Sequence, residues 1–223
     1  MNVKHFRWPF LAVLVAAIYL VDTTTSTIGI SQDCIEGRCH FEGGTEPRAI
    51  AFAVSIILLY FLFLLSPTAK PGAPMPGVFR RFIAFWLDFI LFMSASAPLV
   101  GIVPTLTEWR RTGVFQWSFA RDVAAQYDGW LSLIFVLVEF IFMALYFALP
   151  LVRARPSPGS CIMGYQILSD NGGGLTLRAA LKRACFGFFA VGAAYMIAFT
   201  RRKKNSGKFW LDLRFGTHAE MLH

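Results

Sequence analysis

Two acidic residues lie inside long apolar stretches of the chain, where ionisable side chains are rare. Asp88 lies in the stretch 82–103, and Glu139 lies in the stretch 131–151. An ionisable group at the centre of a bilayer costs roughly 2.5–3.5 kcal/mol on insertion scales, and such groups usually mark ion or proton pathways. Asp88 and Glu139 are therefore candidates for an ion or proton site.

Arg81 precedes Asp88 by seven residues, a spacing that puts both on one face of a helix. Seven residues leave the two directions about 20° apart and the two heights roughly 10 Å apart. Ala84 lies between them, and a small residue there lets another helix approach closely. We expect Arg81 at the cytoplasmic interface and Asp88 deeper in the membrane. The structural alternative is a topology arginine with an aspartate that caps or pairs with a neighbouring helix.

The composition indicates an integral membrane protein. Of the 223 residues, 56% are hydrophobic and 15% are charged, whereas soluble domains carry about 25% charged residues. The net charge is +8, but the basic residues cluster at the ends of apolar stretches, as topology signals do. Because the chain also lacks the motifs of nucleic-acid-binding modules, we expect no nucleic-acid partner.

The apolar stretches predict an all-α membrane protein with about four transmembrane helices. A spanning helix needs about 20 residues, which the stretches 49–65, 82–103 and 131–151 reach or approach. The first stretch, 8–21, resembles a signal peptide, but no clear cleavage site follows it, so we expect an uncleaved anchor. A fifth stretch, 184–200, contains two glycines.

The Lys and Arg residues orient these helices, because positive charge favours the cytoplasmic side. With a cytoplasmic N-terminus and four crossings, the inside segments up to Arg183 hold ten basic residues and the outside loops hold five. The C-terminal tail adds six basic residues. If 184–200 crosses the membrane, the inside segments hold ten basic residues and the outside segments hold eleven. If it returns, the inside segments hold sixteen and the outside segments hold five. We therefore expect a re-entrant or strongly kinked segment there, in a bacterial inner (plasma) membrane. A fifth crossing with an external tail is the alternative.

The loops carry three further predictions. Residues 163–177 contain Asn-Gly-Gly-Gly between apolar runs, which predicts a small cytoplasmic β-hairpin. The loop 105–128 mixes aromatic and charged residues and is expected to lie along the membrane interface. Cys34 and Cys39 share a hydrophilic external loop, where a disulfide can form. A metal site that includes His40 is the alternative to the disulfide.

A series of short motifs runs through the second part of the chain. The motifs are Arg81-x-x-Ala84-x-x-x-Asp88, Tyr146-Phe147, Ser157-Pro158-Gly159, Gly164, Asp170-x-Gly172, Leu175-Thr-Leu, Arg183 and Asp212-x-x-x-Gly216-Thr217. In their order and spacing they closely resemble the RDD family of small membrane proteins over about residues 78–218. The family is named for one arginine and two aspartates, which correspond here to Arg81, Asp88 and Asp212.

The resemblance implies a membrane domain over 78–223, preceded by a two-helix extension over 1–77. It also implies transport as one function, because some family members look like cation/proton antiporters. Two positions depart from the pattern: Ser160 stands where the family usually has Lys, and Leu211 where it often has His. Glu139 is outside the pattern, so its candidacy rests on its place in an apolar stretch.

Two functions remain open. The protein could be a cation/proton transporter in which Asp88 and Glu139 bind the exchanged ion or proton, with Asp212 at the cytoplasmic entrance. It could instead be a non-catalytic accessory or scaffold subunit of a membrane complex. Such a subunit would use one buried ion-pair network, which specifies geometry more than it stabilises, formed by Arg81, Asp88, Arg183 and Asp212.

We expect neither an enzyme nor a cofactor, because the four histidines lie at termini or in loops and no catalytic or phosphate-binding motif is present. The expected partners begin with the bilayer itself. The Arg-Arg-Lys-Lys tail at 201–204 suits anionic lipid headgroups. Four crossings are few for a monomeric transporter, so a homo-oligomer or a membrane-complex partner is also expected.

Overall fold

Helices make up most of the structure. The computed structural model describes residues 3–23, 29–35, 38–65, 71–72, 76–124, 129–200 and 210–222. The helices are α1 (Arg7–Thr23), α2 (Pro47–Leu65), α3 (Val78–Thr112), α4 (Gly129–Val152), α5 (Pro158–Ile162), α6 (Leu177–Thr200) and α7 (Trp210–Phe215), and a 3-10 turn (Val3–Phe6) leads into α1. The strands are β1 (Gly29–Ile35), β2 (Arg38–Gly44), β3 (Pro71–Gly72), β4 (Ser118–Ala124), β5 (Tyr165–Ser169) and β6 (Thr217–Leu222).

Two helices in the described part of the chain, α2 and α3, are long and apolar enough to cross a membrane. Shorter apolar helices lie within α1 and α4, at Arg7–Ala17 and Val136–Val152. A segment in lipid becomes helical because it has to satisfy its backbone N–H and C=O groups internally. α3 keeps this form over 35 residues despite Pro98 and Pro104. The predicted all-α fold is confirmed only in part: the structure is mostly helical and has two candidate membrane-spanning helices, but the described residues also form two three-stranded sheets. The predicted number of crossings stays a prediction.

One compact unit consists of Met1–Leu14, Tyr60–Ile90 and Phe142–His223. Its antiparallel sheet has the order β3-β6-β5, so the C-terminal strand lies at the centre. Ala84 of α3 packs against the side chains of β5 and β6 in a buried apolar cluster. The segments after α2, after α4 and after α7 therefore meet in one sheet beside the first turns of α3.

The second compact unit consists of Val15–Leu59 and Leu91–Ile141. Here β1 and β2 form a hairpin, and β2 also pairs with β4. α3 passes close to the end of β2, because a Cβ on Gly101 would lie 2.2 Å from the carbonyl oxygen of Gly44. Both units contain residues from either side of residue 77, and the predicted domain division at that point stays a prediction.

The predicted hairpin over 163–177 is wrong in its second half. β5 forms, but it pairs with β6 from the C-terminal segment. The backbone N–H of Leu175 donates to the carbonyl oxygen of Leu151 at 2.9 Å, and Leu177 begins α6. Leu175 and Leu177 therefore do not form the expected second strand of the hairpin. The six-residue strand β6 pairs with β5 instead.

The re-entrant or strongly kinked segment expected at 184–200 is not interrupted at its glycines, because α6 is one continuous helix of 24 residues. The return of this segment to the cytoplasmic side stays a prediction. Gly187 and Gly192 lie inside α6. A glycine in a helix costs about 1 kcal/mol relative to alanine, which is too little to break a helix of this length. The ring of Phe215 lies 5.9 Å from that of Phe186, so the chain that follows α6 comes back to the early turns of that helix.

Within the loop 105–128, residues 105–124 are more ordered than we expected. α3 extends to Thr112, and β4 adds to the β1–β2 hairpin. Trp117 is exposed, and its ring packs on that of Phe115 at 4.9 Å. An interfacial position for this segment stays a prediction, whereas its strand was missed, because its pairing partner lies in another loop of the chain.

Candidate functional site

Asp212 is fully buried and lies between two arginines. Nη1 of Arg81 donates to its Oδ2 at 2.5 Å, and Nη2 of Arg183 donates to its Oδ1 at 2.7 Å. The hydroxyl of Thr217 donates to the same Oδ1 at 3.2 Å and accepts from Nε of Arg183 at 3.3 Å. We call Arg81, Arg183, Asp212 and Thr217 the arginine clasp.

The clasp joins three helices and a strand. Arg81 and Arg183 come from early turns of α3 and α6, and Asp212 comes from α7. α7 ends one residue before Gly216, whose φ of +58° is the left-handed conformation that glycine supplies after a helix. The reversal brings the Thr217 hydroxyl back onto Asp212, which explains the Asp-x-x-x-Gly-Thr spacing.

The arginine clasp contains two guanidinium groups and one carboxylate. Taking charged groups out of water costs several kcal/mol per ion, and only close, well-bonded partners offset that cost. Since Arg183 and Arg81 are both buried, Asp212 is the counter-charge for both. Loss of that one carboxylate would leave two like charges together in the interior.

Asp88 is also buried, but it occupies a separate site formed by three neutral donors. The Ser157 hydroxyl donates to its Oδ2 at 2.5 Å, the Gly159 N–H to its Oδ1 at 2.7 Å and the Tyr146 hydroxyl to its Oδ1 at 3.2 Å. We call Asp88, Tyr146, Ser157 and Gly159 the aspartate pocket.

The Ser157-Pro158-Gly159 motif folds over α3 at this point. Ser157 caps the N-terminus of α5, and Pro158 follows at the first helical position, where its missing N–H costs nothing. A Cβ on Gly159 would lie 2.1 Å from the Ala84 carbonyl oxygen and 2.9 Å from Cγ of Asp88. A glycine on the turn is therefore needed for this close approach to the backbone of α3.

The aspartate pocket is backed by a pair of stacked tyrosines. The ring of Tyr60, from α2, lies 4.8 Å from that of Tyr146 with an angle of 19° between the planes. The Tyr60 hydroxyl donates to the backbone oxygen of Tyr146 at 2.6 Å. This contact orients Tyr146, whose own hydroxyl reaches Asp88.

The expected four-residue ion-pair network is wrong, because Asp88 makes no ion pair among the described residues. The structure contains two sites in its place, the arginine clasp and the aspartate pocket. The physical reason is the rise of α3: seven residues separate Arg81 from Asp88 by roughly 10 Å along the helix. Arg81 turns to α7, and Asp88 turns to α5.

Glu139 belongs to neither of these sites. The Ser96 hydroxyl donates to its Oε1 at 2.6 Å, and this contact joins α4 to α3. Both side chains are partly exposed. The sequence singled out Glu139 because of its apolar surroundings, but nothing in the sequence indicated Ser96 as its partner.

The N-terminal segment contributes a contact that the sequence did not reveal. Nε of Arg7 donates to the carbonyl oxygens of Cys161 and Ile162 at 2.8 and 3.1 Å. Gly164 lies beside it, and its φ of +72° is the left-handed conformation that favours glycine. The residues lie more than 150 positions apart, so no local pattern could have linked them.

Burial raises the pKa of the Cys161 thiol to about 12, an effect that the neighbouring Arg7 charge partly opposes and the Asp88 charge reinforces. Cys161 is therefore a neutral thiol at physiological pH. Ser160, which stands where the RDD family usually has Lys, has a structural role here. Its buried hydroxyl donates to the backbone oxygen of Ser157 at 3.0 Å. Neither residue adds a charge to the aspartate pocket.

Three predicted features are only partly covered by the structure. The backbone register places Cys34 directly opposite Cys39, but their side chains lie outside the described part, so the disulfide stays a prediction. The basic tail at 201–204 lies outside the described residues altogether. Among the residues that the structure describes, no group of three or more His, Cys, Asp or Glu side chains could hold a metal ion.

The apolar helices and the buried arginine clasp define a class, that of α-helical membrane proteins with charged groups sealed inside. Residues 75–214 match the RDD family, and the chain belongs to that family. RDD proteins are membrane-associated, in agreement with α2 and α3. No curated protein and no solved structure matches this chain.

Proposed function

We propose that this protein is a scaffold subunit of an inner-membrane complex, with four crossing helices and with its N-terminus and C-terminal segment in the cytoplasm. The arginine clasp and the aspartate pocket would fasten the cytoplasmic segments to the helices. The observation that carries this proposal is Asp212, fully buried and bonded to both Arg81 and Arg183.

The pairing of the connecting segments supports four crossings. β1 and β2 lie between α1 and α2, and they pair with β4, which lies between α3 and α4. β3 lies between α2 and α3, and it shares a sheet with β5, which follows α4. Connections that alternate between two sheets in this way are what four successive crossings produce.

The C-terminal contacts support a segment that returns to the cytoplasmic side. β6 pairs with β5 and β3, and Asp212 of α7 reaches Arg183 near the start of α6. A tail on this side adds its six basic residues to the cytoplasmic ten, which is the distribution that membrane insertion favours. A fifth crossing would separate β6 from β5.

The geometry of Asp212 favours a structural role over ion transport. A transported cation has to bind carboxylate oxygens and be released from them. Both oxygens of Asp212 already accept hydrogen bonds from buried guanidinium groups. A cation at this position would meet two positive charges. Buried ion pairs of this kind stabilise little but define which segments meet.

Cation/proton exchange at Asp88 is the second candidate function. The observation in its favour is that, among the described residues, the hydrogen-bond donors to Asp88 are two hydroxyls and one backbone N–H. A buried carboxylate with no cation at contact distance can take up a proton without losing an ion pair. Glu139, on α4, would be the second carboxylate in such a transporter.

Proton/cation exchange in inverted membrane vesicles tests the two functions against each other. The wild type, Asp88→Asn and the control Asp170→Asn, at an exposed position, would be compared at matched levels with Na⁺, Li⁺ and K⁺. The scaffold proposal expects no exchange in any of them and a lower melting temperature for Asp88→Asn alone. Exchange in the wild type and in Asp170→Asn that vanishes in Asp88→Asn would establish the transporter.

A further inference from the structure

His218, near the start of the C-terminal strand β6, lies between two carboxylates. Its Nδ1 is 3.3 Å from Oδ1 of Asp170, in the turn after β5, and its Nε2 is 2.9 Å from Oε1 of Glu220, two residues further along β6. The side chain of His218 is 17% exposed, against 44% for Asp170 and 28% for Glu220. The two carboxylates therefore meet both ring nitrogens of a side chain that is largely shielded from water.

Both of these contacts can be hydrogen bonds only when the imidazole of His218 is protonated. A neutral imidazole has one N–H donor and one acceptor nitrogen, whereas an imidazolium has two donors. A carboxylate oxygen accepts and does not donate, so in the neutral form one nitrogen lone pair would face a carboxylate oxygen. The geometry at His218 is therefore that of an imidazolium with two acceptors.

The contacts of His218 hold β6 beside the arginine clasp. Successive residues of a strand point to opposite faces of the sheet, so Thr217 reaches Asp212 on one face and His218 reaches its two carboxylates on the other. The backbone N–H of Asp170 also donates to the carbonyl oxygen of Gly216 at 2.9 Å. The first residues of β6 are thus held by the arginine clasp on one face and by His218 on the other.

The titratable groups on the other elements packed against β6 meet its opposite face. Residues from α3, α6, α7 and β5 contact Thr217 or Met221 there, namely Arg80, Arg183, Asp212 and Tyr165. β3 contains no charged residue, and Arg214 of α7 lies over the ring of Phe186. Among the described contacts, the charged groups that meet His218 are therefore its two carboxylates.

We propose that a proton on His218 fastens β6, so that the attachment of this strand depends on the pH of the compartment that holds it. Histidine ordinarily changes charge between about pH 5 and 8, whereas carboxyl groups are ordinarily ionised over that range. Because both bonds need the proton, the attachment is strongest at the acidic end of this range and weakens as the pH rises. Contacts between partly exposed charges are individually weak, so loss of the proton opens the strand locally and leaves the fold in place.

Hydrogen–deuterium exchange of the full-length protein in mild detergent, followed by mass spectrometry, tests this proposal. The protection of the β6 amides, corrected for the intrinsic effect of pH on exchange, should fall roughly three- to tenfold from pH 6 to pH 8 in the wild type. In His218→Gln it should not change with pH. The matched control His5→Gln changes an exposed histidine and should behave as the wild type. An equal fall in His218→Gln, or no fall in the wild type, would overturn the proposal.

Glu220→Gln gives a second measurement that keeps the imidazole in place. An amide donates as well as accepts, so a glutamine at this position can bond either form of the imidazole. The protection of β6 should then change less with pH than in the wild type, and an undiminished change would refute the role of the Glu220 contact. Neither measurement requires four crossings or a scaffold role, so its outcome is independent of the proposed function.

Discussion

At the scale of single residues, the two aspartates of the RDD motif have different surroundings. Asp212 is bonded by two guanidinium groups, and Asp88 is bonded by hydroxyl and backbone donors. The first carboxylate balances charge in the interior. The second holds a turn against a helix and makes no ion pair with the residues that the structure describes. Substitutions at the two positions should therefore destabilise the protein for different reasons.

Asp212→Asn should destabilise the protein strongly, because it leaves Arg81 and Arg183 buried without their shared counter-charge. Removing one partner of a buried ion pair typically costs about 3–5 kcal/mol. Thermal unfolding of the purified protein in mild detergent would measure the change. The control Asp170→Asn removes a partly exposed carboxylate beside His218 and should cost no more than about 1 kcal/mol. Equal melting temperatures for the two variants would contradict the arginine clasp.

Cys161 should resist alkylation in the folded protein, because burial raises its pKa to about 12 from an ordinary value of 9.0. The thiolate, which is the reactive form, is then scarce at neutral and mildly alkaline pH. Mass spectrometry after maleimide treatment should find Cys161 unmodified in the folded protein and modified in sodium dodecyl sulfate. Rapid labelling of the folded protein would show that the thiol is accessible.

The same pKa shift gives a pH dependence of stability. The thiol of the folded protein keeps its proton to higher pH than the thiol of the unfolded chain. The contribution of this thiol to the free energy of unfolding is therefore complete below about pH 9. It is lost as the pH rises from there toward 12. Melting temperatures should therefore fall less steeply above pH 9 in Cys161→Ala than in the wild type. A parallel fall in both proteins would contradict the shift.

At the scale of elements, the turn that begins α5 and the early part of α3 form one packed unit. Gly159→Ala should disrupt it, because the added methyl group would meet the Ala84 carbonyl oxygen at 2.1 Å. Overpacking usually costs about 1–3 kcal/mol, and a contact with rigid backbone should reach the upper end. Gly173→Ala is the control, since nothing lies within 4 Å of its added Cβ. Thermal unfolding should separate the variants, and equal stability would show that α5 does not pack as described.

The β1–β2 hairpin has a register that suits a disulfide. Directly opposed residues on antiparallel strands have Cα atoms about 4.5–5.5 Å apart, within the range that disulfides span. Cys34 and Cys39 are opposed in this way. Peptide mapping without reductant should find them linked to each other, with Cys161 and Cys185 as thiols. Recovery of Cys34 and Cys39 as thiols from oxidising conditions would refute the link.

Local sequence signals were sufficient for the long apolar helices and for the RDD positions, because helix formation in lipid depends on each segment's own composition. The short helices α5 and α7 were not predicted. Arg81, Asp88 and Asp212 could be identified before any contact was known. Their partners could not be assigned, because the Arg81–Asp212 contact spans 131 residues. The hairpin prediction failed for the same reason: the partner of β5 lies in the C-terminal segment.

The structural roles of the glycines were the hardest feature to predict from the sequence. Gly159 and Gly164 occur in the family motifs, but only the structure shows that Gly159 faces a backbone oxygen too close for a side chain and that Gly164 has a positive φ of +72°. Gly187 and Gly192 suggested a kink and lie inside a continuous helix. The structural role of a glycine depends on which atoms lie next to it. The periodicity and composition of the sequence do not show those atoms.

At the scale of the whole molecule, the arginine clasp and the sheet β3-β6-β5 depend on which side of the membrane holds the C-terminal segment. The arginine clasp requires Asp212 on the side of the membrane that holds Arg81 and Arg183. Because β6 pairs with β5 and β3, the connection between α2 and α3 must lie on that side too. A tail on the opposite side would break the clasp and the sheet together.

The most direct test of this central claim is the side of the membrane on which the C-terminus lies. Fusions of green fluorescent protein and of alkaline phosphatase after His223 would be compared with the same fusions after Gln116, in the loop before β4. A cytoplasmic C-terminus predicts fluorescence and no phosphatase activity after His223, and the reverse after Gln116. Active phosphatase after both His223 and Gln116 would put the two positions on the same side of the membrane. α6 would then cross the membrane, and the arginine clasp could not exist.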